Sequence, residues 1–268
     1  MKATNWTVMA IAGVIGIGCA HAQTLIDFAD TSVTQGEING ALFTVDGTHP
    51  SGTGIFGRDG GGVFLTIQKN GVEEGYNTSA TGIMDTKRIP QWNHEIFVSD
   101  LEVVEVDGKF YTPFLLDINE SANKKNRLLS LDDVKIFTTD QTGITNPSLD
   151  SLLSDPELTL RYDMDVGGDN TVLLDYLRNS SGSGTADMAF LLSMDVFEGA
   201  QSSDTVYFYS RFGGDVANAG ANFDVDANAG FEEWTQGVGS PNQIPEPSAS
   251  LLLLMSGTMM LFRRSRVE

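Results

Sequence analysis

The sequence predicts an all-β fold: a single antiparallel β-sandwich, jelly-roll-like, with an N-terminal signal peptide before it and a C-terminal transmembrane helix after it. Three observations predict this. Apolar residues alternate with polar ones at a period of two along most of the chain, the signature of half-buried strands. Turn dipeptides and glycine clusters break these runs, in a chain with 29 glycines among 268 residues. No long stripe of 3.6-residue period appears, so the crossover helices of a parallel α/β sheet are missing. No fixed-period repeat marks a propeller or solenoid.

The elements follow in chain order. Residues 1–22 read as the signal peptide: Lys2 is the positive start, Val8–Cys19 the apolar stretch, and Ala20-His21-Ala22 the small-x-small cleavage pattern. Cleavage after Ala22 removes the one cysteine, so the mature chain forms no disulfide. A lipoprotein reading through Cys19 is the alternative; Gly16-Ile17-Gly18 precedes it where such motifs favour leucine.

Residues 23–240 are the sandwich domain. Its expected strands include Leu25–Ala29, Ala41–Val45, Val63–Gln68, Glu95–Val106 and Lys109–Ile118. Val134 and Ile136 alternate with Asp133 and Lys135, and Leu158, Leu160, Tyr162 and Met164 with Glu157, Thr159, Arg161 and Asp163. Val172–Leu177, Phe190–Val196 and Val206–Phe212 complete the set, and a short helix is expected near Pro147–Ser154. Asp107-Gly108 between two apolar runs is a two-residue hairpin signal. Two smaller sandwiches divided near Asn146 are the alternative architecture.

Residues 241–248 form a proline-punctuated linker that continues neither strand nor helix. Residues 249–268 are the transmembrane segment and its basic end: an apolar run, Ala249–Phe262, then Arg263, Arg264 and Arg266. At 1.5 Å per residue the run reaches about 21 Å, short of the ~30 Å hydrocarbon core. The arginines beside it mark the cytoplasmic side and oppose the alternative of a buried helix.

The order Pro245-Glu246-Pro247, apolar segment, arginine cluster, paired with a signal peptide, resembles the PEP-CTERM sorting signal. The resemblance covers about the last 25 residues; Ile244 stands where valine is commoner. The stretches 160–188, 206–214 and 227–234 are similar to a recurrent body type of such proteins, uncharacterised secreted β proteins. The resemblance implies recognition by an exosortase, cutting near Pro245-Glu246-Pro247, transient anchoring at the inner membrane, and release to the cell surface or an exopolysaccharide matrix.

Charge sets what the body can bind. The chain has 16 Lys and Arg against 36 Asp and Glu, a net of -20, which leaves no basic footprint for nucleic acid. Asp163, Asp165 and Asp169, in a turn with Gly167 and Gly168, are the candidate metal ligands: oxygens one residue apart can converge on calcium. They do not follow the EF-hand pattern, since Leu174 stands at the twelfth position. Without calcium they are outward residues of a strand ending in a turn, and no other cofactor is expected. Asp224, Asp226, Glu232 and Glu233 read as a solvated edge in which Phe231 and Trp234 anchor the last strand. Trp92, with Asn93 and His94, is either a sugar-stacking spot or a cover for one end of the core. Lys124, Lys125 and Arg127 read as a solvated hairpin tip.

Catalysis has little support. His49 and His94 are the only histidines after cleavage, Gly57 and Gly60–Gly62 form no phosphate loop, and no Gly-x-Ser-x-Gly elbow exists. Glycoside hydrolysis needs two carboxyls some 5–10 Å apart, which any acidic chain supplies by accident. The expected function is a non-enzymatic surface or matrix protein, associated with polysaccharide; a carbohydrate-binding or carbohydrate-active module is the alternative.

Overall fold

The computed structural model describes residues 23–45, 62–123, 125–178, 186–214 and 224–237. The signal peptide, the 241–268 tail with Pro245, Glu246, Pro247, Arg263, Arg264 and Arg266, and His49, Gly57, Gly60, Gly61 and Lys124 lie outside them. Among the described residues no helix is long and apolar enough to cross a membrane.

Among the described residues strand is the prevailing secondary structure, and it forms two sheets. In chain order the strands are β1 Leu25–Asp27, β2 Gln35–Ile38, β3 Ala41–Thr44, β4 Val63–Ile67, β5 Glu73–Tyr76, β6 Ile96–Phe97 and β7 Val104–Val106. There follow β8 Lys109–Asp117, β9 Leu128–Thr139, β10 Thr159–Asp163, β11 Thr171–Asp175, β12 Met188–Ser193, β13 Thr205–Phe212 and β14 Glu232–Gln236, with the short helix α1 at Leu149–Ser154. The first sheet is ordered β1-β11-β9-β13-β5, with β10 beside β9 and β6 beside β13; the second is ordered β2-β3-β12-β8-β14-β4, with β7 beside β8. Both sheets take strands from either side of Asn146.

Period-two alternation explains the packing. Phe114, Leu116, Phe190, Leu192 and Trp234 of the second sheet share one core cluster with Leu129, Ile136, Val206 and Phe208 of the first. Phe208 is the meeting point. Its ring lies 5.0 Å from that of Phe114, 5.7 Å from Phe64, 6.0 Å from Phe190 and 4.6 Å from Trp234. These tilted and edge-on contacts suit the quadrupoles of aromatic rings. The indole Nε1–H of Trp234 donates to Ser210 Oγ at 3.1 Å across the sheets, so this buried donor is satisfied.

Five expectations are corrected. The sandwich is not wholly antiparallel, because β1 pairs parallel with β11 at a sheet edge. The strand expected over 95–106 is broken into β6, a 3₁₀ turn at Val98–Asp100 and β7, because the Asp100 carboxylate accepts the Phe97 N–H at 3.1 Å and turns the chain. Likewise β12 ends at Ser193, where the serine hydroxyl caps a 3₁₀ turn at Met194–Phe197. The basic run is not a hairpin tip: its loop carries the chain from β8 in one sheet to β9 in the other, and Arg127 pairs with Asp175 at 3.2 Å. Finally, β2 and β5 stand where no strand was expected. Asn39-Gly40 makes the β2–β3 hairpin with φ of 50° and 82°, as Asp107-Gly108 makes β7–β8 with 51° and 78°. Both dipeptides adopt the doubly positive φ of the tight turns that match strand twist.

Replacing Phe208 with alanine removes the ring that touches both sheets. The expected loss is about 3–5 kcal/mol of unfolding free energy, read from the shift of the urea midpoint at unchanged slope.

Candidate functional site

Two groups of acids come together on the outer faces of the sheets. On the first sheet, β10 ends at Asp163 beside Lys135 of β9. The Lys135 ammonium bonds Asp163 and sits 3.1 Å from Asp133. Asp163 Oδ1 also accepts the Asp165 N–H at 2.8 Å, and Asp165 Oδ1 accepts the Asn170 N–H at 2.9 Å. The carbonyls of the turn are engaged as well: Asn39 Nδ2 donates to Met164 O at 2.8 Å and Asn170 Nδ2 to the same oxygen at 2.6 Å. The structure thus brings Asp163 and Asp165 into one turn, with Asp169 close enough for its charge to act on Asp165. The cation in that turn is the chain's own lysine. Burial pushes Asp133 up to about 7 against the pull of Lys135, and pushes Asp165 up to about 6.

On the second sheet, Glu233 of β14 stands opposite Asp117 of β8, and Asp187, just before β12, continues the row. Their neighbours in register, Trp234 and Leu116, point into the core, so these three acids point outward, on the same side as Leu115, Ala189 and Leu191. Yet Glu233 is 2% exposed, Asp117 3% and Asp187 5%. Like charges directly across strands oppose each other. Burial and the Asp117 charge push Glu233 up to about 7 while Lys87 pulls it down; Asp187 is pushed up to about 8 by burial, against its bond from the Ile118 N–H at 2.9 Å.

Beside this row lies a half-buried aromatic pair. Trp92 stacks against Phe231 at 6.4 Å, with the Lys87 ammonium 3.9 Å from the centre of the Phe231 ring. The 87–94 loop is fixed to β4: Asn93 Oδ1 accepts the Thr66 N–H at 2.8 Å and Asn93 Nδ2 donates to Lys87 O at 2.6 Å. Trp92 packs on the outer apolar cluster of the second sheet, with Leu115 and Leu191. The half-buried aromatic face and its ammonium can stack on and hydrogen-bond a hydroxyl-rich ligand.

The solvated edge expected at Glu232 and Glu233 is corrected: both are buried, because Trp234 is drawn fully into the core and takes its neighbours with it. Asp224 stays exposed. Nothing in the sequence marks Asp117 and Asp187, single acids at the ends of apolar strands; only register places them beside Glu233. Among the described residues no three acid, histidine or cysteine side chains converge as a metal site. Compared with known proteins, the chain matches no family model, no curated protein and no solved structure.

The raised carboxyls set a pH dependence. Between the ordinary carboxylate range and about 8, Asp133, Asp165, Asp187, Glu120 and Glu233 bind more protons folded than unfolded. Stability therefore falls as pH rises through this window. Glu95 runs the other way: burial raises it, but N–H groups of Ser79 and Gly143 outweigh that and hold it low. Melting temperature is expected to be highest near pH 5 and to decline towards pH 8, as followed by circular dichroism in buffers of equal ionic strength.

Proposed function

We propose that the chain is an exported, non-enzymatic surface or matrix protein. Its tail is the sorting signal: an exosortase is the partner that recognises Pro245-Glu246-Pro247, with Ala249–Phe262 held at the inner membrane and Arg263, Arg264 and Arg266 on the cytoplasmic side. The observation that carries this reading is the three-part order of the tail together with the signal peptide at residues 1–22. Strand connections β8 to β9, β11 to β12, β12 to β13 and β13 to β14 each pass from one sheet to the other, which supports a jelly-roll-like body. The acidic surface supports a matrix setting, in which charge keeps the body soluble among polymers. Mass spectrometry of the extracellular protein from an exosortase-positive host is expected to find a C-terminus near Pro245-Glu246-Pro247 and an N-terminus at Gln23. A secreted form intact through Glu268 would refute the sorting role.

A second reading, carbohydrate binding, is favoured by the stacked Trp92–Phe231 pair with Lys87 beside the Asp187–Asp117–Glu233 row. Under it, Trp92→Ala weakens binding to a polysaccharide about tenfold, the equivalent of 1.4 kcal/mol. Affinity electrophoresis through gels containing a uronate polymer or a neutral glucan measures this, and equal mobility of both proteins in both gels removes the reading.

A further inference from the structure

One end of the sandwich interior holds two acids that neither reading uses. Glu73 opens β5 in the first sheet and Glu232 opens β14 in the second. Each faces inward. Glu232 shares its side of β14 with Trp234 of the core, and Glu73 alternates with Glu74, whose neighbour in register, Arg211, precedes the core residue Phe212. Both are fully buried, at 0% and 1% exposure.

Their surroundings supply little compensation. Glu73 Oε2 accepts the Lys69 N–H at 2.6 Å, whereas Glu73 Oε1 and both oxygens of Glu232 accept no hydrogen bond of sound geometry. Register brings the two together: Glu232 pairs with Ile67 of β4, two residues before the Lys69 whose N–H bonds Glu73, so each carboxyl acts on the other, with the Asn119 N–H beside Glu232. The Lys69 ammonium is turned outward to Asp85 at 3.2 Å and is more than half exposed. Glu120, held by the Asn228 N–H, adds a further negative group, with Asp224 beyond it. Two ionised carboxylates side by side in a buried site cannot both persist. A calcium ion would take six to eight oxygens, and two carboxyls with no third converging fall short of that. A proton needs only one donor and one acceptor.

We propose that Glu232 and Glu73 share one proton at neutral pH, Glu232 donating to Glu73, and that this hydrogen bond is a pH-sensitive latch between the two sheets. Its stabilisation is present at low pH. As pH rises and the proton leaves, two charges face each other in the interior and drive β5 and β14 apart.

Glu232→Gln tests the latch, because an amide donates to Glu73 at any pH. Measured on the full chain, the wild-type melting temperature is expected to fall between pH 5 and 9, and that of Glu232→Gln to fall by about 3 °C less, a shift typical of one lost interaction in a domain of this size. An infrared difference spectrum of the two proteins at pH 7 is expected to show a protonated-carboxyl stretch present only in the wild type. Equal declines without that band overturn the latch. So does a wild-type melting temperature that rises in millimolar calcium when the variant's does not, which would make the pair a cation site. Should Glu232→Gln fail to fold, Glu73→Gln, whose amide donates to Glu232, carries the same expectations.

Discussion

The structure depends on one aromatic junction. Phe208 of the first sheet is surrounded by Phe64, Phe114, Phe190 and Trp234 of the second, and among the described residues no other side chain touches so many rings across the interface. Close packing there leaves little freedom for the sheets to slide, since each ring would clash before it found a new partner. The Trp234–Ser210 hydrogen bond adds direction to what is otherwise a non-directional attraction. With that junction fixed, the register of β14 against β8 is fixed too, and so is the meeting of Glu233 with Asp117 on the opposite face.

The same rigidity explains why a chain so rich in acids folds with several of them indoors. Strand alternation gives each inward residue two outward neighbours, and on central strands such as β8, β12 and β14 those neighbours are covered as well. Asp117, Asp187 and Glu233 are acids that register places, and burial then raises the proton affinity of Asp187 and Glu233. The first sheet solves the problem differently, placing Lys135 between Asp133 and Asp163. The order of that turn therefore has an internal counterion.

Much of the fold was legible because period-two alternation is a local signal. β8, β10 and β13 stand within a residue or two of where the alternation of 109–118, 158–164 and 206–212 put them. β5 was hidden because Glu73-Glu74-Gly75-Tyr76 offers a single apolar residue, and its place depends on pairing with β13. β2 has the same weakness, although Asn39-Gly40 announces its hairpin. The carboxyl row and the Glu73–Glu232 pair were illegible for a stronger reason. Each joins residues more than 40 positions apart, and an acid destined for the interior looks no different in sequence from one destined for water. Trp92 was legible as a residue of interest, but its partner Phe231 lies on a segment that only the tertiary fold brings near.

The position of β14 has a consequence for how the molecule is made. It lies between β8 and β4, and β4 has no other neighbour in the order of its sheet. A chain that emerges from its first residue onward thus has β4, bonded on its other edge only to the 85–94 segment, without its strand partner for about 165 residues of growth. Only when residues 232–236 arrive can the second sheet close around Trp234. That closure spans most of the polypeptide, so its entropy cost is met late and assembly is slow relative to a hairpin-by-hairpin meander. During that wait the apolar face of β4 is open to other chains, and a compartment that holds nascent molecules apart would favour the native outcome.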